Sequence, residues 1–205
     1  MQVQYNYLDR KFVKYVTEDF SIQQAKKFLQ DTGFRCVPIL DKTEKKFLGN
    51  VYEIDTFKYD GSFEDSVINI AEDVDATVRE DESFFRVFFS IKKYPYLAVV
   101  NAEGEFTGIL PHSKVMEIFE DALGVHTKGH MLTIGVYDFD HTLKKLTSII
   151  SKYSPIQSLI TLHSDQFVRQ IVITVPKEVQ HSTLEKIHEE LTKANFRIVH
   201  MDRLS

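Results

Sequence analysis

A stretch of about sixty residues occurs twice in this chain, and that duplication limits the possible folds more than any other feature. Thr17 recurs as Thr77, Ser21 as Asp81, Phe28 as Phe88 and Asp41 as Asn101, each sixty positions on. In the first copy Ser21 is an N-cap residue, and Gln24 three places on completes a capping box. Ile22, Ala25, Phe28 and Leu29 then fall on one helical face, and Gly33 ends the helix. Residues 34–40 read as a buried strand built on Val37, Pro38, Ile39 and Leu40, followed by a charged turn from Asp41. Residues 47–51, with Gly49, form the next strand, and residues 52–58 begin a second helix.

The pattern returns after an acid-rich linker at residues 60–75. Asp81 is placed as N-cap, and Phe84, Val87, Phe88 and Ile91 form the inner face of the helix. The strand YPYLAVVN follows, then a turn at 101–104 one residue shorter than its counterpart, so that Gly108 answers Gly49 at a spacing of fifty-nine. Two copies are too few for a solenoid. They imply two half-units that bury their apolar faces against each other.

The last third has another rhythm. Residues 131–137 read as a strand and 140–153 as an amphipathic helix with Leu143, Leu146, Ile149 and Ile150 inward. Residues 157–163 and 167–175 make a hairpin that turns at Ser164 and Asp165. A helix to Ala194, starting at Val179 or His181, and a strand at 196–201 complete the order βαββαβ, the ferredoxin-like arrangement. Its open sheet face needs a cover, for which a second subunit serves. Between the two parts, residues 124–130 (GVHTKGH) form a linker.

The net charge of −5 argues against a nucleic-acid binder acting through bulk electrostatics. The single cysteine, Cys36, has no disulfide partner, which suits a reducing compartment, and its apolar surroundings indicate packing. The start has no apolar segment of a secretory type, and no run spans a bilayer, so a cytoplasmic location is expected. No phosphate-cradling glycine loop or nucleophile elbow is present, and no catalytic residue or metal site is assigned. His126 and His130 are four apart but lack a further ligand. His141 with Asp138 and Asp140 reads as capping at a strand-to-helix junction.

On these residues the two copies resemble a tandem pair of CBS motifs, a Bateman module, with repeats at about 14–58 and 74–121. The first copy carries the pattern best: Thr17, Val37-Pro38-Ile39, Gly49, and Asp55 six residues on. The second departs from it. Ala98 replaces the proline, Pro111 stands at the serine or threonine place and Lys114 at the aspartate; in the first copy Tyr52 holds the serine or threonine place. The last third resembles an ACT domain, with the run from Asp138 to Leu143 at the position of an Asp-x-x-Gly-x-Leu pattern and His141 in place of the glycine. The expected fold is therefore α/β (α+β): a CBS pair over residues 1–123, a linker at 124–130 and a ferredoxin-like ACT domain over 131–205.

The order CBS–CBS–ACT is similar to that of the cyclic di-AMP-binding CbpA-type proteins of Gram-positive bacteria and of the AcuB-type acetoin-utilisation proteins. The first group fits the length and the weak second motif better. The resemblance implies a non-catalytic receptor that binds cyclic di-AMP in the CBS cleft and relays it to a partner protein. The alternative is an AcuB-type regulator sensing AMP, ADP, ATP or an amino acid. No cofactor is implied besides such a ligand. In a CBS pair the slot is edged here by Lys14, Tyr15, Val16 and Thr17 with Phe34, Arg35, Cys36 and Val37. The matching places in the second copy are Asp75, Ala76 and Thr77 with Tyr94, Pro95 and Tyr96. Backbone groups read adenine, Arg35 offers a donor fork to a phosphodiester, and the tyrosines offer stacking faces. The partners implied are the nucleotide, a second copy meeting through CBS and ACT domains, and a downstream protein; neither nucleic acid nor membrane is expected.

Overall fold

In the computed structural model, which describes residues 2–136, 141–162 and 169–204, the chain divides into two units, Met1–Met116 and Glu117–Ser205. The first opens with a two-residue strand, β1 (Leu8–Asp9), between single 3-10 turns at Val3–Tyr5 and Arg10–Phe12. The first copy then runs β2 (Val16–Thr17), α1 (Ile22–Thr32), β3 (Cys36–Leu40), β4 (Phe47–Tyr52) and α2 (Glu53–Lys58). The second repeats that order as β5 (Thr77–Arg79), α3 (Phe84–Ile91), β6 (Tyr96–Val100), β7 (Phe106–Pro111) and α4 (His112–Leu123).

Local chemistry accounts for these elements. The Gln24 N–H donates to the Ser21 hydroxyl while the Ser21 N–H donates to the Gln24 side chain, so the capping box closes in both directions. Gly33, at φ 73°, takes the left-handed conformation and donates its N–H to the Leu29 carbonyl. In β3, Val37 to Leu40 are all buried, so the strand reads as a continuous apolar run. Pro38 is tolerated in this central strand because β2 pairs only with Ile39 and Leu40. In the second copy the ladder runs one residue further: Ala98, where the first copy has Pro38, donates its N–H to the Ala76 carbonyl.

Two details of the repeat differ from the sequence reading. The N-cap position of α3 is Ser83, whereas Asp81 makes a two-pronged ion pair with Arg79. The buried faces of the helices, Ile22, Ala25 and Leu29 against Phe84, Val87 and Ile91, therefore match at a spacing of sixty-two, so Phe28 does not correspond to Phe88. The strands keep the spacing of sixty because α3 is shorter than α1 at its far end.

The strands form sheets in the orders β2-β3-β4 and β1-β7-β6-β5. The chain ahead of the first copy thus borders the sheet of the second, with Leu8 opposite Ile109 and Asp9 opposite Gly108. The linker ahead of the second copy does the same to the first: Asn50 and Glu72 exchange both backbone hydrogen bonds. A glycine permits each approach. A Cβ on Gly108 would lie 2.1 Å from the Leu8 carbonyl oxygen, and one on Gly49 would lie 2.8 Å from that of Glu72. The two copies share a cluster of Val13, Leu40, Ala98 and Phe106, with Phe47 stacked on Phe106 at 6.4 Å between centroids. The half-units do bury apolar faces against each other.

The second unit runs β8 (His130–Val136), α5 (Thr142–Ile150), β9 (Ser158–Leu162), β10 (Arg169–Val175), α6 (His181–Lys193) and β11 (Arg197–Arg203). All pairings in its sheet are antiparallel, in the order β11-β8-β10-β9, which is the ferredoxin-like topology. Leu132, Ile134, Ile171 and Ile173 of the sheet pack with Leu146, Ile150, Leu184, Ile187 and Leu191 of the helices. On the sheet, the buried Ser158 and Thr174 hydroxyls both donate to the Leu123 carbonyl at the end of α4. The expected hairpin turn at Ser164 and Asp165 lies outside the described residues, as do Asp138 and Asp140. No helix among the described residues is long and apolar enough to cross a membrane.

Candidate functional site

Equivalent positions of the two copies meet. The Cys36 thiol donates to the Tyr96 hydroxyl at 3.7 Å, and Lys45 pairs with Glu105 at 2.9 Å; both pairs are sixty residues apart. The Phe47–Phe106 stack keeps the spacing of fifty-nine set by the shorter second turn. Residues touch their own counterparts when a pseudo-two-fold axis passes between them.

A polar chain runs along this seam. Tyr96, 6% exposed, donates its hydroxyl to Asn50 Oδ1 at 2.5 Å. The fully buried Asn50 amide nitrogen donates to Asp73 Oδ2 at 3.4 Å, and Tyr52 donates to the same oxygen at 2.5 Å. Burial raises the Tyr52 and Tyr96 hydroxyls above the ordinary phenol range; Asp73 adds to this at Tyr52 and Cys36 at Tyr96. Burial likewise pushes the Cys36 thiol up to about 11. The thiol stays protonated at neutral pH, which makes it a poor nucleophile. No buried side-chain nitrogen or oxygen among the described residues lacks a hydrogen-bond partner.

Cavities flank the seam. One of about 350 Å³ is lined by Arg35, Tyr52, Glu53, Ile54 and Phe57, where β3 enters and α2 begins. The Arg35 guanidinium makes no ion pair among the described residues, and its side chain is exposed. A second cavity, of about 570 Å³, is lined by Asp9, Arg10, Lys11, Val13, Lys14, Tyr15 and Phe28. Here Arg10 is committed to Glu44 at 2.8 Å and lies 5.4 Å over the Tyr15 ring, whose hydroxyl donates to the same carboxylate at 2.7 Å. Lys11 reaches Asp9 at 4.0 Å, and Lys14 has no ion-pair partner among the described residues.

The site residues expected from sequence are distributed accordingly. Lys14 and Tyr15 face the larger cavity and Arg35 the smaller. Val16 and Val37 are core residues of the first sheet, and Thr17 donates its hydroxyl to Asp19. Phe34 is half exposed. Cys36 and Tyr96 come together on the seam. In the second copy Tyr94 donates to Asp75 at 3.4 Å, Thr77 pairs with Ala98 in the sheet, and Pro95 accepts the His112 N–H at its carbonyl. Asn50, Tyr52 and Asp73 were not singled out as seam residues. The signal for Asn50 was present, as a polar residue next to Gly49 inside an apolar strand. Asp73 sits in an acid-rich linker that gives no such contrast.

In the second unit His141 precedes α5 at φ 61°, the conformation a glycine would supply, and makes no side-chain cap. His126 lies 3.2 Å from Glu120 and 3.9 Å from Asp121. No group of three potential metal ligands occurs among the described residues.

Comparison with known proteins bears on the first part of the chain. Residues 7–61 match the CBS domain family model. No curated protein matches the chain. Among solved structures, a CBS domain pair/ACT domain protein from Thermotoga maritima is 20% identical, with a TM-score of 0.52 over 60% of this chain and 99% of its own. CbpB in complex with c-di-AMP is 16% identical, with a TM-score of 0.53 over 58% of this chain and 85% of its own. The CBS domain of a bacterial CNNM/CorC family Mg2+ transporter in complex with ATP is also 16% identical, with a TM-score of 0.52 over 57% and 85%. At these identities the likeness is one of fold. Residues 7–61 match a CBS domain, and the fold of the chain is mixed α/β with a CBS domain pair.

Proposed function

We propose that the chain is a non-catalytic receptor that takes cyclic di-AMP at its CBS pair and relays the binding to a partner protein. The observation that carries this reading is the Arg35 cavity, where a guanidinium with no ion pair among the described residues stands beside the Tyr52 and Phe57 side chains. A phosphodiester suits the planar fork of an arginine, and an adenine suits aromatic and aliphatic walls. Lys14, which has no ion-pair partner among the described residues, supplies a second cation in the larger cavity, and a dinucleotide carries two phosphodiester charges. The fold likeness to CbpB with c-di-AMP bound supports the same ligand class. The second unit is read as an ACT domain following a linker at 124–130, and the protein as cytoplasmic.

Isothermal titration of the full chain with cyclic di-AMP, AMP and ATP tests the proposal. Cyclic di-AMP is expected to bind, and Arg35→Ala to weaken it about tenfold or more, as loss of a charge-assisted hydrogen bond implies. Tight AMP or ATP binding with no response to cyclic di-AMP overturns the ligand assignment. A second reading, amino-acid sensing by the ACT-like unit, draws on the left-handed backbone of His141, which restores the turn that the missing glycine would have made. A melting point raised by one amino acid and unchanged by nucleotides would favour it.

A further inference from the structure

Helix α6 carries His181, Leu184, Glu185, His188 and Glu189 along one side, at the three- and four-residue steps that bring helical neighbours together. With Met201 of β11 they line a cavity of about 320 Å³. It belongs to the second unit, lies outside the CBS pair and includes no residue of the turn at His141. Its volume is at the lower end of the ~300–1,000 Å³ of ligand sites, so it suits a small occupant.

The floor of the cavity is apolar. Leu184 is buried and belongs to the core of the unit. Met201 stands opposite the fully buried Leu132 in the ladder, yet it is 38% exposed, because β11 ends the sheet. A thioether on a flexible stem adapts to whatever lies against it. The rim is acidic. Glu185 and Glu189 are exposed and one turn apart, an arrangement of like charges that costs a helix stability. The cations of α6 do not cancel it. Among the described residues, Lys193 is taken by Glu190 at 2.9 Å, Glu185 pairs only with His181, at 4.0 Å, and Glu189 makes no ion pair.

Apolar floor and acidic rim together select one kind of ligand. A straight aliphatic stem covers Leu184 and Met201, while a cationic head at its end stands between the two carboxylates and relieves their repulsion. An anion is repelled by the same carboxylates, and a neutral chain leaves them unmatched. We propose that the cavity between α6 and β11 is a binding site for a small alkyl cation, an ammonium or guanidinium on an unbranched stem. An arginine side chain brings the same stem and head, so the test separates a free ligand from one carried on a peptide. The site stands whether or not the Arg35 cavity takes a nucleotide.

Titration of the isotope-labelled full chain with agmatine, followed by amide NMR shifts, tests this. Saturable shifts are expected at residues 181–189 and at Met201, with a dissociation constant of about 1 mM or below. Methylguanidinium has the head without the stem and is expected to bind about tenfold or more weakly. Glu185→Gln with Glu189→Gln, at two exposed positions and so harmless to the fold, is expected to weaken agmatine about tenfold or more. Met201→Lys, which sets a tethered cation on the floor, is expected to abolish binding. An arginine blocked at both ends that binds about tenfold or more tightly than agmatine would overturn the free ligand in favour of a protein side chain. Absence of saturable shifts, shifts centred on His141, equal binding of methylguanidinium, or undiminished binding by the double variant each overturns the site.

Discussion

Cys36 and Tyr96 hold the same place in the two repeats and touch each other, thiol to hydroxyl, at 3.7 Å. A duplicated module has few positions where this is geometrically possible, and here those positions carry the polar chain that ties one repeat to the other. Tyr96→Phe removes the hydroxyl that Asn50 Oδ1 accepts, leaving a fully buried amide oxygen without that donor. A loss of about 1–3 kcal/mol is expected in urea unfolding, with the denaturant slope unchanged.

The thiol at this contact should be inert. With its acidity shifted from 9.0 to about 11 by burial, Cys36 remains protonated through neutral and mildly basic pH. Alkylation by iodoacetamide at about pH 8 is expected to be slow in the native chain and rapid in denaturant, where the thiol is no longer buried and returns to its ordinary range. Equal rates in the two conditions would mean that the seam opens readily.

Asp41 supplies an acid-side signature. Its carboxylate accepts the Lys46 and Lys45 backbone N–H groups and the Thr43 hydroxyl, and these hold it down to about 2 from 3.8. A depressed acid contributes stability above its unfolded value and loses it as pH falls toward the folded one. The melting temperature is expected to drop between about pH 4 and pH 2, and Asp41→Asn to flatten that part of the profile.

Gly108 tests the bordering strand. An alanine Cβ would meet the Leu8 carbonyl oxygen at 2.1 Å, so Gly108→Ala must push β1 off β7. Faster amide exchange at residues 8–9 and a lowered melting temperature are expected. Gly104→Ala meets nothing within 4 Å, although its φ of 77° carries backbone strain. It is expected to cost about 1–3 kcal/mol without loosening β1.

The parts of this fold that were legible in the sequence are those fixed by neighbours in the chain. Ser21 and Gln24 cap α1 as read, Gly33 ends it, and the run from Val37 to Leu40 is the buried strand. The βαββαβ order of the last third followed from periodicity in the same way. The structure departs from that reading where the repeat is not a rigid shift. Asp81 is as good an N-cap type as Ser83, and only packing of Phe84, Val87 and Ile91 decides between them. The polar seam was not legible because Asn50, Asp73 and Tyr96 are joined by contacts twenty-three and forty-six residues apart. Nothing local announces that Tyr96 will spend its hydroxyl inside the module and leave Arg35 at the cavity.

Each repeat in this module lacks its own border. The residues that finish the second sheet precede the first repeat, and the linker that finishes the first sheet precedes the second. A fragment holding one repeat would therefore keep an arm with no sheet to join and a sheet edge with no arm. Two such fragments would satisfy each other by exchanging arms, turning the internal pseudo-symmetry into a true one between separate chains. In the intact chain the same exchange is intramolecular, so neither repeat can open without stripping the other, and the pair should melt as one.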